Sequence, residues 1–347
     1  MERRGDMPVR FDFAIGNPPY QESSENTSDS PVYNDFMDAA YQIADKTELI
    51  TPARFLFNAG KTPKEWNAKM LHDKHFRVLD YKPDSSEVFP NTDIRGGVAI
   101  TYYDNSAEGE AIGLFIPNPL LKSIAGKVMN ADGFMPFSDI VSTSNEYMFS
   151  DMMREEHPEA IESLGRTDIV SNVFAKLPYM FYDEEPDDGH EYIRILGLLE
   201  GNRRVFKWIR RDYVKPSDRL DKWKVLVPAA NGSGAIGEKL STPLIGAPLI
   251  GQTQTFLSIG SFETENEAEA CLKYVKSRFL RCMLGVLKVT QNNKRDKWAC
   301  IPMQDFTSHS DIHWNESIAD IDAKLYRKYN LSDGEIEFIA KNIKEME

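Results

Sequence analysis

The 347-residue chain is poor in the features that mark secreted and membrane proteins. It has only three cysteines, Cys271, Cys282 and Cys300, whose odd number and spacing suit neither a disulfide framework nor a metal site. No apolar run approaches the roughly 20 residues that cross a bilayer, and the charged start at Met1 leads into no hydrophobic signal segment. We therefore expect a cytoplasmic protein with buried, unpaired cysteines and no metal.

The chain also lacks a net positive charge, because 41 Lys and Arg residues stand against 54 Asp and Glu residues and give a formal net charge of -13 at pH 7. Nucleic-acid-binding proteins neutralise phosphates with Lys and Arg, so the total argues against that class. The distribution weakens this objection. Residues 151–191 carry twelve acidic and three basic residues, whereas 201–224 carry nine basic and three acidic, and 273–297 eight basic and one acidic. A basic face on an acidic protein would give this pattern, and so would solvated charged segments.

The chain is long enough for two domains, and its first part has the alternating pattern of an α/β sheet. Apolar periodicity predicts strands at 11–15, 48–51, 76–81 and 97–103, and helices at 33–44 and 64–73. Beyond residue 104, short apolar runs are broken by proline and glycine, and 151–191 has the composition of a linker-like surface. Further helices are predicted at 264–287, 317–329 and 333–344.

The tetrapeptide Asn17-Pro18-Pro19-Tyr20 directly follows the first predicted strand. The Asn17 side-chain oxygen and the Pro18 carbonyl can both accept hydrogen bonds from one amino group, and two prolines fix the local φ angles. Tyr20 offers a flat face on which a base rotated out of a duplex can stack. We therefore take Asn17, Pro18 and Tyr20 as candidate catalytic residues and Pro19 as a rigid wall of the pocket. A simple turn that ends a strand is the alternative.

The tetrapeptide and later segments together resemble the amino-group DNA methyltransferases, specifically the adenine methylases of restriction-modification systems. The segments that carry the resemblance, in order, are Tyr33 to Met37, Leu49 to Leu56, Val88 to Pro90, Asp93 to Val98, Trp223 to Pro228, Lys288 to Gln291 and Ile301 to Phe306. The resemblance implies an α/β fold, with a partial doubly wound (Rossmann-like) methyltransferase sheet followed by a mixed α+β target-recognition domain. It also implies S-adenosylmethionine as cofactor, double-stranded DNA as partner and the exocyclic amine of a flipped adenine as acceptor.

On this resemblance we expect four parts. They are the C-terminal half of a catalytic domain (1–108), an acidic connecting region (109–192), a DNA target-recognition domain (193–310) and a C-terminal helical segment (311–347). Phe89 would line the flipped-base pocket and Tyr33 would border the cofactor, although both also suit a hydrophobic core.

DNA contacts are expected from two basic stretches. Their candidate residues are Arg203, Arg204, Lys207, Arg210 and Arg211 in the first, and Lys288, Gln291, Asn292, Lys294 and Arg295 in the second. For the first stretch the alternative is a strand that buries Phe206 and Trp208 and whose other face happens to be charged.

The sequence departs from the family pattern at its front. The glycine-rich turn and the following acidic residue that hold the cofactor in such methylases have no counterpart before Asn17. We therefore expect a chain truncated at its N-terminus, with a cofactor site that needs an upstream region, and a complementary methylase or restriction subunit as a partner. Two other interpretations stay open, namely a DNA specificity module without catalysis and a methylase of RNA or of a protein amide.

Overall fold

The structure is a computed structural model, and it describes residues 10–22, 30–92, 94, 96–288 and 290–346. The chain forms two compact units, Met1–Pro117 and Asn118–Glu347. The predicted parts 193–310 and 311–347 therefore lie in one unit, together with residues 118–192. The charged start at Met1 and three residues of the quoted motifs, Asp93, Arg95 and Val289, lie outside the described residues.

The first unit contains a mixed four-stranded sheet. The strands of that sheet are β1 (Phe11–Gly16), β4 (Ala44–Pro52), β5 (Phe76–Lys82) and β6 (Val98–Asp104), while β2 (Gln21–Glu22) and β3 (Ser30–Pro31) form a separate two-stranded sheet. The α-helices of the unit are α1 (Tyr33–Ile43) and α2 (Lys64–His72). The sheet order is β1-β4-β6-β5; β1 is parallel to β4, and β6 is antiparallel to β4 and β5. The predicted strands and helices are all present, but one parallel pair does not establish a doubly wound arrangement.

The core of this unit lies on one face of the sheet. α1 places Tyr33 and Met37 inward at helical spacing, and they pack with Phe55, Met70 and Phe76. Four of these side chains are fully buried, and burial of each contributes about 1.5–3 kcal/mol relative to exposure. The core thus fixes the orientation of β4 and of the segments that follow its end.

The strand β1 forms the outer edge of the sheet, and no described strand pairs with its free side. The side chains of Phe11, Phe13 and Ile15 are 55%, 59% and 77% exposed. Phe13 lies in register with Lys46, whose ammonium is 5.6 Å from the centre of the Phe13 ring. β1 therefore presents unpaired backbone groups and a row of apolar side chains together.

The second unit is built from two three-stranded sheets and eight described α-helices, with short 3-10 helices between them. Its strands are β7 (Tyr192–Leu199), β8 (Arg203–Arg210), β9 (Trp223–Pro228), β10 (Leu244–Gly246), β11 (Ile250–Gln252) and β12 (Phe256–Phe262). Its helices are α3 (Pro119–Met129), α4 (Asp151–Glu156), α5 (Pro158–Leu164), α6 (Val173–Lys176), α7 (Glu265–Lys276), α8 (Arg278–Leu287), α9 (Ile318–Lys328) and α10 (Asp333–Asn342). The sheet orders are β10-β9-β12 and β11-β7-β8. Mixed α/β structure with several sheets is thus confirmed, and none of the described helices has the length and apolarity to span a membrane.

Two elements of this unit differ from their sequence predictions. The acidic stretch 151–191 is not a linker-like surface, because Met153, Phe174 and Phe181 pack in one core with strand residue Ile193. The helix predicted at 264–287 is two helices, which are separated at Ser277 by extended backbone with φ -60° and ψ 148°. The Ser277 hydroxyl then accepts a hydrogen bond from the Leu280 N–H and begins α8.

Candidate active site and nucleic-acid interface

The candidate site lies at one edge of the four-stranded sheet. β1 and β4 are parallel, with Gly16 in register with Leu49, so their carboxyl ends meet at the same edge. β5 runs in the same direction as β4 because both are antiparallel to β6. The segment between β5 and β6 therefore also begins at this edge, which is where open α/β sheets bind their ligands.

The tetrapeptide occupies the end of β1 as the sequence predicts. Asn17 is exposed and Pro18 is half-buried, so both acceptor oxygens lie on an accessible segment. Tyr20 packs against the core of the unit, and its carbonyl accepts a hydrogen bond of 3.3 Å from the Val32 N–H. Burial raises the pKa of Tyr20 to about 12, and its hydroxyl has no hydrogen-bond partner among the described residues. Tyr20 thus stays protonated near neutral pH and is suited to form an aromatic wall.

The structure brings Phe89 to the tetrapeptide. The Phe89 and Tyr20 ring centroids lie 6.3 Å apart, with an interplanar angle of 73° that makes the contact edge to face. Backbone and side-chain hydrogen bonds hold the Phe89 segment, since Phe89 N–H donates to the Ser85 carbonyl at 2.8 Å and Ser85 Oγ donates to the Thr92 carbonyl at 2.9 Å. Two predicted pocket residues from different loops are therefore neighbours on a fixed frame.

Tyr33 lies in the hydrophobic core. It is 5% exposed and contacts Phe55 and Trp66, with centroid distances of 6.0 and 6.3 Å. Burial raises the pKa of Tyr33 to about 12. These contacts favour the core alternative over the predicted place beside a cofactor.

Arg54 was not among the residues selected from the sequence, although it lies at the same edge. It follows Pro52 and Ala53 at the carboxyl end of β4, and its side chain supports the turn at Gly96, where an added Cβ would lie 2.6 Å from Arg54 Cγ. The sequence signal that could have identified Arg54 is a basic residue shortly after a strand that ends in proline. The exposure of Arg54 leaves it able to contact an anionic ligand.

Neither glycine pair in the chain forms a cradle for a cofactor. Gly97 has φ +76°, and an added Cβ would lie 2.1 Å from the Lys82 carbonyl oxygen, so this turn closes against its own backbone. The N–H groups of Ser233 and Gly234 already donate to the Glu238 carboxylate, at distances of 2.8 to 3.1 Å. The described residues therefore offer acceptor oxygens for an amine, but they do not form a complete site for S-adenosylmethionine.

The first basic stretch is largely neutralised within its own unit. Arg210 pairs with Asp212 at 2.6 Å and Glu156 at 3.1 Å, and Arg211 pairs with Asp221 at 2.7 Å. The remaining pairings are Lys207 with Asp183, and Arg204 with the carbonyls of Thr242 and Ser241. Four of the five residues are thus engaged within the unit, and phosphate contact by this stretch stays a prediction. Arg203 is exposed and has no ion pair among the described residues.

Phe206 and Trp208 are not core residues either. β8 buries Ile209 and packs Val205 on its inner face, which leaves Phe206 37% exposed on the outer one. The Arg194 guanidinium lies 5.5 Å from the centres of both the Phe206 and Trp208 rings. This stack of an arginine between two aromatic rings was missed, because it depends on the pairing of Arg194 with Trp208 across β7 and β8.

The second basic stretch divides in the structure. Lys288 is 6% exposed and donates to the Asn231 carbonyl at 2.9 Å, which corrects its predicted DNA contact. The other four candidates, Gln291, Asn292, Lys294 and Arg295, are exposed on one loop. Buried Asn293 anchors that loop through the carbonyls of Pro228 and Ala229, at 3.0 and 2.9 Å, and Trp298 Nε1 donates to the Asn293 carbonyl at 2.8 Å. We call residues 290–295 the polar loop.

No group of three or more His, Cys, Asp or Glu side chains in the described part of the chain could hold a metal ion.

Comparison with known proteins confirms the resemblance for the first part of the chain. Residues 6–89 match the family model described as Eco57I restriction-modification methylase. A protein from Mycoplasma pneumoniae (strain ATCC 29342 / M129 / Subtype 1), described as "Uncharacterized adenine-specific methylase", is 28% identical over 109 residues. That match covers 30% of this chain and 26% of the relative, so it spans about a quarter of that protein's length.

Two solved structures are similar over most of the chain. The type IIG restriction endonuclease BpuSI gives a TM-score of 0.37 at 8% identity, covering 96% of this chain and 53% of that one. The type IIL restriction-modification enzyme MmeI, solved in complex with DNA, gives 0.36 at 10% identity, covering 95% and 56%. The matches span about half the length of these enzymes.

Proposed function

We propose that this chain is the amine-binding and DNA-recognising part of an adenine-specific DNA methyltransferase of a restriction-modification system. The observation that carries the proposal is the tetrapeptide at the carboxyl end of β1, with Tyr20 edge to face with Phe89 at 6.3 Å. The family match over residues 6–89 supports methylase chemistry at this position. Adenine in double-stranded DNA is the proposed acceptor, and S-adenosylmethionine is the proposed methyl donor.

The proposed chemistry rests on the geometry of the acceptor amine. The lone pair of an exocyclic amine is delocalised into its ring, and two hydrogen-bond acceptors on the amine protons favour a tetrahedral nitrogen. We assign Asn17 Oδ1 and the Pro18 carbonyl as the acceptors of those two protons. S-adenosylmethionine would supply the methyl group: its C–S bond would break as the new N–C bond forms, so that the sulfonium would become a neutral thioether. The amine nitrogen would become cationic and would lose one proton to solvent. Tyr20 does not act as the base, because burial raises the pKa of its hydroxyl to about 12.

The described residues alone do not form a complete binding site for the methyl donor. The outer side of β1 carries no described partner strand and exposes Phe11, Phe13 and Ile15. We place a further strand there, contributed by an upstream region or by a complementary methylase or restriction subunit. Such a strand would run beside the end of β1 and bring its own carboxyl-end loop to the tetrapeptide.

The DNA contacts are assigned to the polar loop and to the Arg194 stack. Asn and Gln side chains can pair with adenine edges, and Lys and Arg with guanine edges or phosphates. Lys294 and Arg295 have no ion-pair partner among the described residues, which distinguishes them from Arg210 and Arg211. The polar loop therefore replaces the first basic stretch as the main candidate interface.

Methylation in cells lacking endogenous adenine methylation tests the proposal. The chain is expressed together with its complementing region, and genomic DNA is scored for N6-methyladenine. We expect methylation at one sequence motif, its loss in Asn17→Ala, and partial retention in Asn17→Asp, which keeps an acceptor oxygen. Asn130→Ala changes an exposed asparagine of the second unit and serves as the matched control. Full methylation by Asn17→Ala would refute the catalytic assignment.

A DNA specificity module without catalysis is the second candidate, and the incomplete cofactor fit favours it. Under that function the chain binds DNA with a salt dependence set by the polar loop, and every variant lacks methylation even with the complementing region present. Calorimetric titration of the chain with S-adenosylmethionine, alone and with that region, separates the two. Donor binding that appears only with the complementing region supports the methyltransferase. Methylation of RNA or of protein in the same cells, with DNA unmodified, would favour the remaining alternative.

A further inference from the structure

A cavity in the second unit has features that methylation and DNA recognition do not use. It measures about 610 Å³ and lies among the α7–α8 junction, α9, α10 and the residues that follow α10. This volume is within the range of roughly 300–1,000 Å³ that is usual for small-molecule sites. The cavity is therefore large enough for a ligand of several carbon atoms.

One wall of the cavity is basic and contains unsatisfied donors. Arg281 is 2% exposed; its Nε donates to the Lys276 carbonyl at 3.2 Å and its Nη2 to the Lys344 carbonyl. Among the described residues, Arg281 Nη1 is buried without a hydrogen-bond partner, and the same holds for Arg278 Nε. A buried guanidinium N–H without a partner is destabilising, and a hydrogen bond to a ligand oxygen would remove that cost. Both arginines line the same cavity.

The other charges at the cavity leave the basic excess in place. Lys276 and Arg327 add two further cations, against the acids Asp322 and Glu345. Asp322 accepts hydrogen bonds from the Arg278 and Phe279 N–H groups, at 3.0 and 2.8 Å, so both of its oxygens are used by the first turn of α8. Glu345 pairs with Arg278 Nη2 at 2.9 Å and leaves Nε of that guanidinium unpaired.

The remaining wall is apolar. Ile318, Leu331 and Ile336 line it, and Ala319 and Ala323 of α9 leave the space that larger side chains would fill. A ligand that suits both walls has a hydrocarbon body and one anionic head. A free inorganic ion would leave the apolar wall uncovered, and a neutral hydrocarbon would leave the donors unpaired.

We propose that this cavity binds a small amphipathic anion, whose carboxylate or phosphate head pairs with Arg281 and Arg278 and whose apolar body packs on Ile318, Leu331 and Ile336. Guanidinium groups bind both heads through charge-assisted hydrogen bonds. The site belongs wholly to the second unit and stands independently of the proposed methyl transfer.

Calorimetric titration of the full chain with hexanoate and with hexyl phosphate tests the proposal, and the two probes identify the preferred head. We expect at least one of them to bind ten-fold or more tightly than 1-hexanol and than inorganic phosphate. Ala323→Trp fills the cavity while it keeps every cation, and should weaken that probe ten-fold. Ala340→Trp, at an exposed position of α10 outside the cavity, is the matched control and should bind like the unaltered chain.

Arg281→Gln provides a second measurement. It removes the charge next to the proposed head and should abolish the preference for an anionic probe over 1-hexanol, with circular dichroism as the check on folding. Equal affinity for hexyl anions and 1-hexanol in the unaltered chain would overturn the proposal. Undiminished binding of the preferred probe by a folded Ala323→Trp variant would also overturn it.

Discussion

Substitution of Glu238 by Gln tests how much the Glu238 carboxylate stabilises the turn at Ser233 and Gly234 in the second unit. The Glu238 carboxylate accepts hydrogen bonds from Ser233 N–H at 2.8 Å, Ser233 Oγ at 2.7 Å and Gly234 N–H at 3.1 Å, and it lies 3.4 Å from Lys288 Nζ. Burial by itself would raise the pKa of Glu238, but these donors and the Lys288 charge outweigh it and lower the pKa to about 2. The ionised carboxylate is therefore much more stable in the folded state than in the unfolded chain.

The pKa shift sets the size of the effect. A decrease from 4.5 to about 2 corresponds to about 3 kcal/mol at 1.36 kcal/mol per pKa unit. The Glu238 side chain is 25% exposed, and solvent screening reduces the expected contribution to about 2 kcal/mol. Because the folded pKa is the lower one, this stabilisation is complete above pH 4.5 and is lost as the pH falls toward 2.

Urea unfolding of the second unit at several pH values measures this contribution. At pH 7, Glu238→Gln should lower the free energy of unfolding by about 2 kcal/mol. Glu337→Gln, at an exposed position of α10, is the matched control and should change it by less than about 0.5 kcal/mol. The difference between the unaltered chain and Glu238→Gln should shrink as the pH falls below 4.5. Equal stability at pH 7, or a difference that does not shrink in acid, would refute the reasoning.

Three further predictions concern the candidate site and the interface. Gly97→Ala should lower the thermal stability of the first unit by more than Gly113→Ala, since both glycines have positive φ but only Gly97 would place its Cβ against backbone, 2.1 Å from Lys82 O; equal losses would show that the close approach is tolerated. Lys294→Gln and Arg295→Gln should each lower by about one the slope of the logarithm of DNA affinity against the logarithm of salt concentration, measured by fluorescence anisotropy. Arg211→Gln should leave this salt slope unchanged, because Asp221 already pairs with that charge. The reverse order of effects would return the interface to the first basic stretch. Trp298→Phe removes the hydrogen bond to the Asn293 carbonyl and should weaken DNA binding by about 1 kcal/mol with no change in the salt slope, and an altered slope would contradict a purely positioning role.

Features that depend on local sequence were predictable. The strand at Phe11, the prolines that follow it and the helix that begins at Tyr33 are specified by periodicity and by fixed φ angles within a few residues. The capping box at Ser332 and Glu335 is equally local, and the structure has the hydrogen bond from Ser332 N–H to Glu335 Oε2. The position of the tetrapeptide at a strand end follows from the same signals.

Features that depend on pairing between distant segments were not predictable. The sequence shows that Arg210 and Glu156 carry opposite charges. It does not show that the fold of the acidic stretch places these two side chains 3.1 Å apart. The break at Ser277 has a similar origin. The sequence around it is compatible with one continuous helix, and Asp322 of α9 binds the N–H groups of Arg278 and Phe279 that a continuous helix would use internally. Arg194 likewise acquired its two aromatic neighbours only through the register of β7 and β8.

The exposed edge at β1 has a practical consequence for handling the purified chain. A strand whose outer side pairs with no described strand, and which exposes Phe11, Phe13 and Ile15, is a template for edge-to-edge aggregation of identical molecules. Association through this strand grows with protein concentration and competes with any polypeptide that would bind there. Replacing Phe13 with Lys places a charge on the edge, and should raise the concentration at which the chain stays monomeric in analytical ultracentrifugation.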